Sequence, residues 1–280
     1  VYKILKKREL IPGRVSELVI DAPQIARKGL PGNFVILRMR EGGERVPLTI
    51  ADTDPEQGTI TIVYLVMGKS TALLEAMGEG EEILDVCGPL GRPTDIHSVG
   101  TVICVGGGTG IAAMHHIAKG HHRAGNRVVS VIGARSKDLL LFEEELRSFS
   151  DEVLVATDDG SHGHKGFVTE VLKKRLEEDE SVGEVVAVGP VPMMRAVAEV
   201  TRPFNVKTTV SLNSIMVDGI GMCGACRVSV DGKTRFACVD GPEFDAHKVD
   251  FDELMLRLKS FCPQEQRSYK EYCECHGQKK

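Results

Sequence analysis

The segment Asp218-Gly219-Ile220-Gly221-Met222-Cys223-Gly224-Ala225-Cys226, with Cys238 twelve residues beyond Cys226, is the part of this chain best equipped for chemistry. Its spacing, four residues, then two, then a longer gap, is that of a plant-type [2Fe–2S] loop with aspartate where the first cysteine would stand. Glycines at 219, 221 and 224 suit a loop that wraps a cluster closely and turns backbone N–H groups towards its sulfurs. A zinc ribbon would need a second close cysteine pair, which Cys238 alone does not supply. A carboxylate at 218 can ligate iron with the formal charge of a thiolate, although oxygen is the harder donor. The other reading makes Asp218 part of an ordinary Asp-Gly turn and gives the fourth ligand to Cys262 or a tail cysteine.

Two further constellations handle phosphate. Gly106, Gly107, Gly108, Thr109 and Gly110 lie between a strand-like run and a helix-like run, where a dinucleotide's pyrophosphate can approach the backbone and the positive helix end. The acidic residue expected about twenty positions further on is missing. Arg135 occupies that neighbourhood and, taken literally, favours a 2′-phosphate. Asp158 follows a later strand and reads either as a ribose contact or as a polar turn. Upstream, Arg45-Val46-Pro47-Leu48-Thr49 is answered by Gly68-Lys69-Ser70-Thr71 at a helix start. An arginine facing a helix N-terminus with hydroxyls is a pyrophosphate grip.

These motifs need elements to position them. Residues 1–97 read as β-rich, with runs at Val15–Ile20, Phe34–Met39, Val46–Ala51, Thr59–Val66 and Glu82–Val86 and one helix over Lys69–Met77. That pattern predicts an antiparallel β-barrel, ended by a break at Gly88–Pro93. From Val99 strand and helix alternate through residue 205: strands at Thr101–Val105, Val128–Ile132, Glu152–Ala156 and Val185–Val188, with helices between them that include Leu139–Phe149. This predicts a parallel sheet with helices on both faces and ligands at the carboxyl ends of its strands. Residues 206–247 then form a small cluster-binding segment, and 248–280 a helix over Phe251–Phe261 followed by a polar tail. The expected fold class is α+β and multidomain.

Composition narrows the function. The 280 residues carry 35 basic and 40 acidic side chains, a net charge of −5, which argues against a nucleic-acid partner. No run of eighteen apolar residues occurs, so no membrane span is expected. The first residues do not resemble a secretory signal, and clustered cysteines in such a chain read as metal ligands in a cytoplasmic protein. His115, His116, His121 and His122 read as a solvated, partly cationic helix face, and Cys87 and Cys104 as buried small hydrophobes. Cys262, Cys273 and Cys275, with His276, read as free tail thiols.

Taken in order, the three constellations resemble the ferredoxin–NADP reductase superfamily. Within it, Met216–Arg227 and Phe236–Phe244 resemble the small, electron-transfer subunits of NADH-dependent reduced ferredoxin:NADP oxidoreductases, also called sulfide dehydrogenase small subunits. The resemblance implies FAD held by Arg45, Pro47, Leu48, Thr49, Gly68, Lys69, Ser70 and Thr71. It implies NAD(H) over Gly106, Gly107, Gly108, Thr109 and Gly110, near Arg135 and Asp158, with Gly189, Pro190 and Met193 as the nicotinamide-side loop. It places a [2Fe–2S] cluster on Asp218, Cys223, Cys226 and Cys238, since aspartate is the first ligand in that subfamily. No catalytic side chain is nominated, because the cofactors carry the chemistry. The resemblance further implies a larger partner with its own flavin and [4Fe–4S] clusters, making a heterodimer that reaches ferredoxin indirectly and bifurcates electrons in the family manner. The electron-transfer subunit of dihydroorotate dehydrogenase and a non-catalytic flavin/cluster redox sensor are the alternatives.

Overall fold

The structure is a computed structural model and describes residues 2–275; Val1, His276 and the rest of the tail lie outside the described residues. Its N-terminal unit contains the strands β1 (Tyr2–Ile11), β2 (Val15–Asp21), β3 (Phe34–Arg38), β4 (Val46–Asp54), β5 (Thr59–Leu65), β6 (Glu82–Ile83) and β7 (Asp85–Leu90). Helices α1 (Pro23–Ala26) and α2 (Lys69–Ala76) interrupt them. Period-two alternation drives one face inward. Leu18 and Ile20, Val35 and Leu37, and Ile60, Ile62 and Tyr64 all converge on one core. The sheet runs β6-β1-β2-β5-β4-β3-β7. Its two edge strands are consecutive in the chain, separated only by Leu84, so the sheet must curl into a nearly closed antiparallel barrel.

The second unit contains β8 (Thr101–Gly107), α3 (Gly110–Arg123), β9 (Arg127–Ala134), α4 (Glu143–Arg147), β10 (Glu152–Thr157), β11 (His164–Lys165), α5 (Val168–Glu178), β12 (Val182–Val188), α6 (Val191–Thr201) and β13 (Lys207–Ser211). Beyond it come β14 (Arg227–Val230), β15 (Lys233–Phe236), α7 (Ala237–Asp240), β16 (Glu243–Asp245), α8 (Phe251–Leu258) and α9 (Cys262–Cys275). The sheet order is β11-β10-β9-β8-β12-β13-β16, parallel except for β16. The chain winds outward from β8 to β10 and then returns on the other side through β12. The β8/β12 boundary is therefore the switch point at which such sheets bind ligands. Strand β13 pairs in parallel with β12, so position 206 adjoins a strand of this sheet, and β16 returns from the cysteine segment to pair with β13.

Several local expectations are corrected. Strand β1 went unread because Lys3, Lys6, Arg8 and Glu9 dominate its sequence while Ile4 alone anchors it deeply. The break expected at Gly88 starts later, since β7 runs through Pro89 to Leu90; it is an edge strand, where proline is tolerated. The helix expected over Leu139–Phe149 is a single tight turn at Lys137–Leu139 and the short α4, divided by Phe142 at φ 57°. Phe142 takes that conformation while its ring lies 5.2 Å from His115. The polar tail is helical as far as Cys275, and Tyr272 and Cys273 bury themselves against Ala72 of α2. Cys104 is buried, whereas Cys87 is exposed.

The histidines are the largest correction. His115, His116 and His121 are buried because α3 is covered on both sides, by its own sheet and by barrel strand β4. A ring nitrogen of His116 meets the Ile50 carbonyl at 3.0 Å, and Lys119 bonds Asp52 at 2.5 Å. Val15, Ala51 and Val63 of the barrel join the apolar cluster around α3, so the two units share a packed interface.

Burial pushes the His115 imidazole down to about 4 and lowers His116 and His121 as well. The unfolded chain would take up protons at these rings below about pH 6.5, while the folded chain resists until lower pH. Stability from neutral His115 is thus complete above pH 6.5 and is lost towards pH 4, by roughly 3 kcal/mol at most. The melting temperature is expected to fall between pH 7 and 5, and His115→Phe to flatten that fall. Circular dichroism melts at a series of pH values test this, and parallel pH profiles for both proteins would contradict it.

Candidate functional site

Glycines at the end of β8 create the site by close approach. A Cβ at Gly110 would stand 2.5 Å from the Val188 carbonyl oxygen, and one at Gly107 would stand 2.4 Å from the Met193 sulfur. Gly106 is pressed beneath Ile111 and Met114, so it serves helix packing. Gly108 takes φ +55° with open space around it. The loop therefore presents bare backbone at the start of α3, at the switch point, with Gly189 of the β12 end against it.

A cavity of about 820 Å³ opens at this place. Gly107, Gly108, Thr109 and Gly110 line it, together with Arg135, Asp158, Gly189, Pro190 and Met193 from the neighbouring strand ends. From the barrel come Pro47, Leu48, Thr49 and Thr71. Arg45, Gly68, Lys69, Ser70 and Gly106 lie outside its lining. At the start of α2, the Thr71 hydroxyl accepts the backbone N–H groups of Met67 and Gly68, each at 3.1 Å, and Ser70 donates to Glu44. Arg14 and the segment Ser211–Ser214 also line the cavity. Nothing in the sequence pointed to them, because they reach it only through the β1–β2 turn and the exit of β13.

The cysteine segment adjoins this cavity. Cys226 and Cys238 are buried with their sulfurs 3.2 Å apart, and they pack with Met216, Phe34 and Ile36. Phe34 and Met216 line the cavity as well, so one layer of side chains divides cavity from thiols. Burial, together with hydrogen bonding to Cys226, pushes the Cys238 thiol up to about 12. Asp218 and Cys223 stand at the exposed mouth of the loop. The Asp218 carboxylate accepts the backbone N–H of Ile220 at 2.9 Å and of Cys223 at 2.6 Å, and these bonds, Ile220 first, hold its pKa below the usual range. Among the described residues, no three Cys, His, Asp or Glu side chains already converge on one point. Asp218, Cys223 and Cys226 lie on one loop and Cys238 on α7; Cys226 and Cys238 form a buried sulfur pair, while Cys223 is exposed and Asp218 half-buried. Three thiols and a carboxylate, three of the four on a glycine-bent loop and Cys238 on α7, are donor chemistry that fits an iron–sulfur group. Cys262 bonds the Leu258 carbonyl, and Cys273 packs on α2.

Comparison with known proteins agrees with this layout. Residues 104–199 match the oxidoreductase NAD-binding domain, and residues 213–250 match the iron-sulfur cluster binding domain of dihydroorotate dehydrogenase B. The chain is 47% identical to a dihydroorotate dehydrogenase B (NAD(+)) electron transfer subunit homolog of Thermotoga maritima, over 97% of this chain and 96% of that one. The chain belongs to the family of dihydroorotate dehydrogenase B electron transfer subunits and their homologues. A solved structure described as NADH-dependent reduced ferredoxin-NADP oxidoreductase, studied for flavin-based electron bifurcation, superposes with a TM-score of 0.91 at 46% identity, covering 97% of this chain and 98% of that one. A ferredoxin NADP+ reductase from Neisseria gonorrhoeae shares the fold at 16% identity, with a TM-score of 0.59, over 73% of this chain and 90% of that one.

Members of this family are oxidoreductase subunits, and this chain carries their NAD-binding and iron–sulfur cluster binding domains. Among the described residues, no helix is long and apolar enough to cross a membrane. The two glycines that border the NAD-binding loop's bend act by different means, which substitutions separate. Gly108→Asn is expected to leave folding stability nearly unchanged, since asparagine accepts left-handed backbone and the space at Gly108 is open. Gly110→Ala forces a backbone clash and should destabilise by about 1–3 kcal/mol while weakening NADH binding. Thermal melts and NADH titrations of both variants decide this, and equal behaviour would refute the steric account.

Proposed function

We propose that this chain is the NAD(H)-linked electron-transfer subunit of a two-subunit oxidoreductase, and that it holds FAD between a nicotinamide site and a [2Fe–2S] cluster. The observation that carries the reading is the single cavity lined by the barrel strand, the glycine loop and the segment leading into the cysteine loop. When bound, FAD supplies exchange of a hydride with nicotinamide and of single electrons with an iron–sulfur cluster.

The chain's own residues position and insulate. Pro47 and Thr49 present one face of β4 to the cavity, and α2 offers its N-terminus, with Arg45, Gly68, Lys69 and Ser70 beside it. The barrel strand would support the flavin, and the helix start, with Arg14 and Arg45, the FAD pyrophosphate. The bare backbone of Gly107–Gly110 receives the NAD(H) pyrophosphate, Asp158 the ribose, and Gly189, Pro190 and Met193 the nicotinamide side. Phe34 and Met216 keep water from the space between cavity and thiols. Asp218, Cys223, Cys226 and Cys238 would hold the cluster, with Cys238 giving up the proton that its burial favours and ligating as a thiolate.

A cluster held there would need an electron acceptor outside this chain, and exposed apolar residues surround the loop's mouth. Val217, Ile220 and Val239 are exposed there, and Met222 is 82% exposed. An apolar rim around a charged centre suits a protein partner that covers it. We assign this rim to a larger subunit with its own flavin and [4Fe–4S] clusters, through which NADP and ferredoxin are reached, in a cytoplasmic complex.

Anaerobic purification of the chain should give a yellow protein with labile sulfide and, on reduction, an electron paramagnetic resonance signal of a [2Fe–2S] cluster. It should oxidise NADH steadily with an artificial acceptor, which a redox sensor would not sustain. A colourless protein lacking sulfide would overturn the reading. Asp218→Cys is expected to keep the cluster while moving its spectrum and potential. An unchanged signal and potential would remove Asp218 from the ligand set.

A further inference from the structure

The loop between Cys223 and Cys226 is gripped from outside by two guanidinium groups. Arg227 donates through Nη1 to the Gly224 carbonyl at 3.1 Å. Arg257, reaching over from α8, donates through Nη2 to the next carbonyl, that of Ala225, also at 3.1 Å. The Cys226 carbonyl is taken by the backbone N–H of Ala237. Three consecutive carbonyls thus have partners outside the loop.

In a trans peptide the N–H points opposite to the C=O. Fixing the Gly224 and Ala225 carbonyls outward therefore turns the N–H groups of Ala225 and Cys226 to the opposite side. The bend that allows this sits at Gly224, with φ 69°. Successive N–H groups turned inward by left-handed residues make a concave site for negative charge. The potential of an iron–sulfur cluster depends on such N–H groups and on nearby charge.

We propose that Arg257 and Arg227 are positioning residues that hold these two peptide planes and, with their charges, raise the reduction potential of the cluster; this rests on the cluster assignment above. Reduction adds one negative charge to the cluster, so a guanidinium beside its loop stabilises the reduced form. Arg257, on α8, is half-buried and weakly screened, whereas Arg227 is exposed. Arg257 therefore carries the larger share, and the contribution of Arg227 declines with salt.

The test is a potentiometric titration of the full chain, followed by cluster paramagnetic resonance, at low and high salt. Arg257→Gln is expected to lower the cluster potential while the flavin potential stays unchanged, and Arg257→Lys to restore most of the shift. Arg227→Gln should give a smaller lowering that disappears at high salt. If Arg257→Gln fails to load a cluster but Arg257→Lys loads one, the positioning role stands. A loaded Arg257→Gln protein with the wild-type cluster potential overturns the proposal. So does loss of the cluster in both Arg257 variants while flavin remains bound, because that outcome is a folding role alone. A wild-type chain that takes up no cluster would instead sink the functional reading on which this depends.

Discussion

Strand β3 has to satisfy two cores at once, and everything else in the arrangement depends on that. Val35 and Leu37 fill the barrel, while Phe34 and Ile36 face outward to Met216, Cys226 and Cys238. Its partner β4 pairs Phe34 with Thr49 and Ile36 with Pro47. Residues paired across a sheet share a face, so the motif strand and the thiols meet on the same outer surface. A slip of one residue would exchange the two faces and lose both cores together. Pairing with β7 on the other side helps hold the register. The neighbouring loops must then come very close: a Cβ at Gly219 would lie 2.6 Å from Ile36, and one at Gly91 would lie 2.9 Å from Phe34.

The sheet unit is fastened to this barrel at separate places. Helix α3 lies against β4, with the Lys119–Asp52 pair and the His116–Ile50 contact across the junction. The connecting segment after β7 is also tied to the cysteine segment. Arg92 donates to the Val239 carbonyl, and the Thr94 hydroxyl bonds Glu243 at 2.7 Å. With these fastenings, the two units cannot separate without breaking packed contacts. Fixed walls are what a site needs when its residues position cofactors and do no acid–base work.

What was legible in the sequence was local. The cysteine spacing, the glycine loop and the Arg45–Thr49 run each lie within twenty-one residues, and their chemistry depends on order along the chain. What was hidden depended on neighbours distant in sequence. His115 and His116 looked solvated because nothing around them in the chain shows that β4 will cover α3. Strand β1 looked polar because its outer face is charged, and α9 looked like a tail because few of its side chains, Tyr269, Tyr272 and Cys273, pack on the barrel. Arg14 and Ser211–Ser214 border the cavity through tertiary packing alone. Arg257 lies thirty-two residues from the carbonyl it holds.

The polarity of the cysteine loop follows from the same geometry. Cys226 and Cys238 are each about 2% exposed and lie on the cavity side, behind Phe34 and Met216. Asp218 and Cys223 lie at the mouth, among exposed apolar residues. Passing outward from the cavity, the surroundings change from dry and apolar to wet. An anionic group held across such a gradient is solvated unevenly, and water stabilises it most at the mouth. On the inner side that stabilisation must come from fixed dipoles and charges. The residues in a position to supply them are the backbone of Gly224–Cys226 and the guanidiniums that hold it. Covering the mouth with a partner would remove water from the outer side as well, so docking itself would change how readily the cluster accepts an electron.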